Sequence, residues 1–246
     1  MRPHRDALHT PQHSPVTCRH VGLRAALCAS LFLACGAVFA QTGGSIALIS
    51  DYRYRGVSLS DEKPTLRLSI AHDGPGGWYG GASLAGVSLD PPRRQLQVLG
   101  YLGHAGRLSD HLGWEAGAIA VHFGADSQFD YREWFTGVQG DRWSMRLHYA
   151  PDYFGSGART AYGELNVGLP LSRFTRAAAH VGALMRVGGA PAEAERLRLD
   201  ASLGLAIARD AWDVRLDWIA GSRSGVYPVA YGRAHGVVVL SASLAY

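Results

Sequence analysis

Twelve stretches of this chain alternate apolar and polar residues one for one, and almost nothing else in it is periodic. They run over about 44–57, 64–73, 77–89, 95–104, 111–123, 131–139, 142–150, 160–169, 174–187, 195–207, 211–219 and 235–246. A period of two places successive side chains on opposite faces of a strand. Outside one apolar run near the N-terminus, no long stretch keeps apolar residues at i, i+3, i+4 and i+7, so helices do not organise the fold. Each strand carries one apolar row and one charged row. Leu197, Leu199, Leu203, Leu205 and Ile207 oppose Arg196, Arg198 and Asp200. Trp212, Val214, Leu216 and Trp218 oppose Asp213, Arg215 and Asp217, and Trp143, Met145, Leu147 and Tyr149 oppose Arg142, Arg146 and His148. In the first stretch, Ile46, Leu48, Tyr52 and Tyr54 oppose Asp51, Arg53 and Arg55.

A soluble sandwich would bury the apolar row and solvate the other, with the same alternation. Three features favour a barrel with its apolar row outward. The aromatics cluster at strand ends (Trp143 and Tyr149, Trp212 and Trp218), as girdles at two membrane interfaces require. The 31 glycines weaken soluble strands but are common in tilted barrel strands. Backbone inside a bilayer also needs closed pairing, which an even-stranded barrel supplies. Residues 41–246 divided among twelve strands give about 17 residues per strand and connection, and a tilted spanning strand takes roughly 9–11 of them. The links around 73–77, 105–110, 140–141, 170–173 and 208–210 are short, and the later links of the other set, 151–159, 188–195 and 220–234, are longer. That asymmetry is the outer-membrane barrel pattern, with both chain ends on the short-turn, periplasmic side. The expected fold is all-β: a transmembrane up-and-down antiparallel barrel of about twelve strands.

The chain ends agree with export. Residues 1–24 hold Arg2, Arg5, Arg19 and Arg24 against Asp6 alone. Ala25 to Ala40 is an apolar run closing on Val38-Phe39-Ala40, so residues 1–40 read as a cleaved signal peptide and 41–246 as one barrel domain. The run is shorter than the roughly 20 residues of a spanning helix. Cys18, Cys28 and Cys35 all fall within residues 1–40, which excludes disulfides, zinc thiolates and a cysteine nucleophile from the mature chain. Without those 40 residues the 24 basic and 20 acidic side chains become 20 and 19, and the near-neutral balance gives no reason to expect nucleic-acid binding. At the other end Val238, Leu240, Ala242, Leu244 and Tyr246 share a face. An alternating last strand ending in an aromatic is the type that barrel-assembly machinery recognises, so that machinery is an expected partner through Tyr246.

If the apolar rows face lipid and lipopolysaccharide, the charged rows face inward. The expected lining is Asp51, Arg53, Arg55, Arg67, Glu115, Glu133, Arg146, His148, Glu164, Asn166, Arg198, Asp200 and Arg215. Twelve strands lie between the filled eight-stranded barrel and the open porin, which suits a narrow pore for small polar or anionic solutes. A salt-bridged interior that only stiffens the barrel is the alternative. Arg53 and Arg55 are the best candidates for a basic patch, since arginine keeps its charge when desolvated and forks onto carboxylates and phosphates. A lipid-modifying hydrolase is the competing enzyme class. It would draw its base from His122, His148 or His180 and its nucleophile from Ser83, Ser88 or Ser144. None of these sits in a hydrolase motif, and no metal or cofactor motif occurs after residue 40, so neither catalysis nor a cofactor is expected.

At SIALISDYRYRGVSLSD the chain resembles the TorF porin family of proteobacterial outer-membrane proteins. Ser50, Tyr52, Arg55, Gly56 and Ser58 form its S-x-Y-x-x-R-G-x-S pattern. The segment Tyr162-Gly-Glu-Leu-Asn166 and the last ten residues are similar to later family blocks. Leu59 departs from the pattern, where members often carry a polar residue, frequently Gln. The resemblance implies an outer-membrane pore and names no solute.

Overall fold

The computed structural model describes residues 41–189, 196–222 and 236–246; the expected signal peptide lies outside the described residues. β1 (Gln41–Ile49) is followed by a small hairpin, β2 (Arg53–Tyr54) and β3 (Val57–Ser58). Then come β4 (Thr65–Asp73), β5 (Trp78–Val87), β6 (Gln95–Ser109), β7 (Leu112–Phe123), β8 (Tyr131–Gln139) and β9 (Trp143–Ala150). The chain ends with β10 (Ala158–Pro170), β11 (Thr175–Gly189), β12 (Leu197–Arg209), β13 (Trp212–Gly221) and β14 (Val237–Ala245). From β4 onward each strand pairs antiparallel with its sequence neighbours, and β1 pairs with both β4 and β14. β1 and β4–β14 thus form the expected closed barrel of twelve strands.

Parity assigns the two faces. Leu66, Leu102, Leu147, Leu203, Leu216 and Val238 all point outward and are exposed, forming an apolar belt around the waist. Trp78, Trp143, Trp212 and Tyr246 ring the end that carries the chain termini, here the turn end. Trp134, Tyr149 and Trp218 ring the opposite loop end. Two aromatic rings bounding an apolar belt match the interfaces and core of a bilayer.

The seam is β1 against β14, with Ile46 opposite Leu244 and Leu48 opposite Ala242. It extends at both ends. Gly44 and Tyr246 exchange two backbone hydrogen bonds of 3.0 Å. The Tyr246 ring covers Gly44 so closely that a Cβ there would lie 2.6 Å from it. At the loop end the Ser50 N–H donates to the Leu240 carbonyl (2.9 Å), and the Ser50 hydroxyl accepts the Leu240 N–H (3.0 Å).

One boundary departs from expectation. The alternation of residues 44–57 implies a single strand, yet β1 stops at Ile49 and the chain turns into the lumen. Tyr52 and Tyr54, expected in the outer girdle, are inside: Tyr52 is buried, and its hydroxyl donates to Gln97 Oε1 at 3.1 Å. Arg55 and Gly56 have φ of +49° and +77°, which no pleated strand accommodates. Positive φ at both central residues builds the two-residue type I′ turn of β2–β3.

The outward placement of the apolar rows is checked by Leu203→Arg, at mid-β12. In denaturant unfolding from liposomes it is expected to cost about 2–4 kcal/mol, the price of a cation at mid-bilayer. Ser202→Ala, at the preceding residue and facing inward, is expected to cost less than about 1 kcal/mol. Equal losses would remove the assignment of the faces.

Candidate functional site

The inward segment 50–63 is a plug with its own framework. Asp51 is its centre: Oδ1 accepts from the Ser58 hydroxyl (2.6 Å) and the Ser60 hydroxyl (3.3 Å), and Oδ2 accepts from Arg53 Nε (2.6 Å). Arg53 Nη1 reaches on to the Gly56 carbonyl at 3.0 Å, which ties the hairpin turn to the same carboxylate. The Tyr52 N–H donates to Ser60 Oγ, and the Leu59 N–H donates to the Tyr52 carbonyl. Asp51 and the arginine row therefore belong to the plug and not to the wall.

Two kinds of contact dock the plug at the loop end. The first is apolar. Tyr52, Val57 and Leu59 pack into a cluster with Val87, Leu89, Phe123, Tyr131, Tyr153, Phe154 and Leu184. Leu59, the residue that departs from the TorF pattern, is fully buried there. The second is ionic. Arg55 forks onto Glu133 of β8, Nη1 to Oε1 at 2.8 Å and Nη2 to Oε2 at 2.7 Å, with side chains 4% and 1% exposed. The guanidinium lies 4.0 Å from the Tyr162 ring centroid and 4.7 Å from that of Tyr54, close enough for cation–π attraction. Burial raises the Tyr54 hydroxyl well above its ordinary pKa, so it stays protonated and donates to Glu133 at 3.3 Å. Gly56 packs on β12, where a Cβ would lie 3.0 Å from the Asp200 Cβ.

Charged contacts continue around the wall. His148 stands between two carboxylates, Nδ1 3.5 Å from Glu133 and Nε2 3.7 Å from Glu164. His180 meets Asp200 at 2.8 Å through Nε2 and Asn166 at 2.8 Å through Nδ1, and the Tyr162 hydroxyl donates to Asp200 at 3.2 Å. Toward the turn end, Glu115 takes Arg146 Nε at 2.5 Å and the Tyr79 hydroxyl at 2.6 Å. Arg215 meets Asp217, and Arg176 meets Asp213, in the same half. Arg67 differs from these: among the described residues it has no ion pair, and its guanidinium donates to Ser83 Oγ at 3.4 Å and lies 5.9 Å from the Tyr52 ring centroid.

The strand parity puts Arg67, Glu115, Glu133, Arg146, His148, Glu164, Arg198, Asp200 and Arg215 on inward faces. Asp51, Arg53 and Arg55 also lie inside, carried there by the plug. Sequence reasoning named His180 only as a candidate base and Tyr162 only in a family block, and placed neither in the lining, although Tyr162 shares its period-2 row with Glu164 and Asn166. The candidate catalytic groups do not assemble. His122 faces outward and bonds Asp130, while Ser88 Oγ donates to the Arg93 carbonyl. Among the described residues none of His122, His148 and His180 hydrogen-bonds a serine.

The Arg55–Glu133 fork is open to a double-mutant cycle. Glu133→Gln leaves a buried guanidinium without its counter-charge and is expected to cost about 3–5 kcal/mol, with new tryptic cleavage after Arg53 and Arg55. Arg55→Met with Glu133→Leu is expected to lose less than the two single changes summed, since neither charge is then stranded. Additive losses in the unfolding midpoints would show that the pair is not coupled.

The barrel has known counterparts in shape. It superposes on the NanC porin with a TM-score of 0.56 at 12% identity, covering 83% of this chain and 99% of that one. It superposes on the KdgM porin with a TM-score of 0.54 at 10% identity, covering 83% and 98%. A KdgM porin in complex with disordered oligogalacturonate gives 0.50 at 10% identity, covering 85% and 98%. These likenesses are of fold. No curated protein matches the sequence. One family model does, over residues 35–243, and the chain accordingly belongs to the bacterial protein family of unknown function Gcw_chp.

Proposed function

We propose that this protein is an outer-membrane channel for small polar solutes, anions among them, held shut by its own first inter-strand segment. One observation carries the reading: charged residues line the inner wall from turn end to loop end, and the loop-end half is filled by the inward segment 50–63 packed against the wall and against Tyr153 and Phe154 of the link between β9 and β10. A sealed rod has no need of an interior built from side chains that must pair with one another. The fold shared with the NanC and KdgM porins supports the reading, as does the TorF resemblance. Its Tyr52, Arg55, Gly56 and Ser58 all serve the plug's own folding or docking. In this reading the termini lie in the periplasm, Tyr246 is the mark for barrel assembly, and lipid and lipopolysaccharide surround the belt.

Selectivity then rests on a different arginine from those singled out in the sequence. Arg53 and Arg55 are neutralised by Asp51 and Glu133, whereas Arg67 faces the lumen without an acidic partner among the described residues. A cation without a counter-charge is the side chain that attracts a passing anion. A second reading, a sealed structural barrel, is favoured by the apolar cluster, in which Leu59, Phe123 and Tyr153 are fully buried.

Planar-bilayer recording separates the two. The mature barrel is expected to give rare, small conductance steps, and a variant with 50–63 replaced by a short Gly-Ser link steps several-fold larger. In a salt gradient Arg67→Ala in that background is expected to move the reversal potential toward cation preference. Silence from the plug-replaced barrel would establish the sealed reading, and an unmoved potential would remove Arg67.

A further inference from the structure

The outward wall has a recess on β6, β7 and β8 near the loop end. There Gly100 pairs with Ala120 and Ala120 with Arg132, and Val98 pairs with His122 in the next row. The recess has a volume of about 520 Å³, within the roughly 300–1,000 Å³ of ligand clefts. Leu96, Leu102 and Trp134 stand exposed on the same outward faces. The floor is small and apolar; the rim is charged.

The rim holds Asp130, Asp152, His122 and Arg132, and their partners differ. His122 Nδ1 lies 2.6 Å from Asp130 Oδ2, and Asp130 Oδ1 accepts the Phe123 N–H at 2.8 Å, so both oxygens of that carboxylate are engaged. Asp152, at the same rim, accepts the Gly157 N–H at 2.7 Å. Arg132 has no hydrogen bond or ion pair among the described residues. His122 and Asp130 are committed to each other, which leaves Arg132 as the cation of this rim that is open to a ligand.

Height decides between a soluble anion and a lipid. Arg132 is two residues along β8 from Trp134, which pairs with Tyr149 in the loop-end aromatic ring. That ring marks the depth of headgroups. An unpaired cation there, beside an apolar trench that opens outward in the same row, fits a phosphorylated lipid: phosphate on Arg132, one acyl chain against Ala120 and Gly100. From this geometry we infer a specific binding site for a phosphorylated, acylated lipid of the outer leaflet. It rests on the outer-membrane placement given above and is independent of conductance.

Native mass spectrometry of the refolded mature barrel with lipid A tests it, using inorganic phosphate as competitor. Wild type is expected to retain lipid A. Arg132→Gln is expected to bind about tenfold more weakly, the loss typical of one charge-assisted hydrogen bond. Gly100→Leu fills the trench and is expected to weaken binding by a similar factor. A Cβ at Gly100 meets nothing nearer than the Gly81 carbonyl oxygen at 4.0 Å, so that variant has room to fold. Unchanged retention by either variant would overturn the site, and so would full displacement by inorganic phosphate, which would mean an anion site without a chain. The measurement uses isolated barrels, so a silent bilayer recording leaves its outcome unaffected.

Discussion

A barrel with an apolar exterior has no water at its waist, so every backbone N–H and C=O there must be paired within the chain. That constraint explains the closed ladder, the short links at the turn end and the antiparallel order of β4 to β14. It also explains why the seam runs past the strand ends, through Gly44–Tyr246 at one end and Ser50–Leu240 at the other. An open edge on β1 or β14 would leave a row of polar groups unpaired in hydrocarbon, each costing several kcal/mol. Closure fixes which face of each strand is inside, and with it the position of every charged row.

The interior meets a second constraint. Side chains removed from bulk water keep their charge only when paired, and pairing here is nearly complete. Arg55 with Glu133, Arg146 with Glu115 and Arg176 with Asp213 each join groups from different elements. Such pairs contribute more to uniqueness than to net stability: they specify one seating of the plug, because any other strands a charge. The apolar cluster of Tyr52, Val57 and Leu59 supplies the burial that the ionic contacts do not.

The wall was legible in the sequence because a spanning strand shows its period over ten residues or so. What failed was the end of the first strand, where alternation continues through Tyr54 although the wall stops at Ile49. Period counting reads side-chain direction and is blind to φ. The Arg55-Gly56 pair was the available sign, since glycine after a polar residue suits a type I′ turn. Inward residues such as Glu115 and Arg146 followed from parity alone. Their pairing did not, because it depends on the register of strands 31 residues apart in this case and 78 in that of Arg55 and Glu133. Arg67 could be placed inside from the sequence, but its lack of a counter-charge is a property of its neighbours.

The plug grows directly out of β1, the strand that zips to β14 to complete the ring. Its anchors lie on β8 and β12, and Ser50, its first residue, bonds Leu240, 190 positions away. The docking surface therefore does not exist until the chain has been laid out almost to its end. Shutting the cylinder and seating its contents become one event, ordered by connectivity and placed last. A chain truncated before β14 would lack the Ser50–Leu240 contact and the seam partner of β1, so its first segment would hang from an open edge strand.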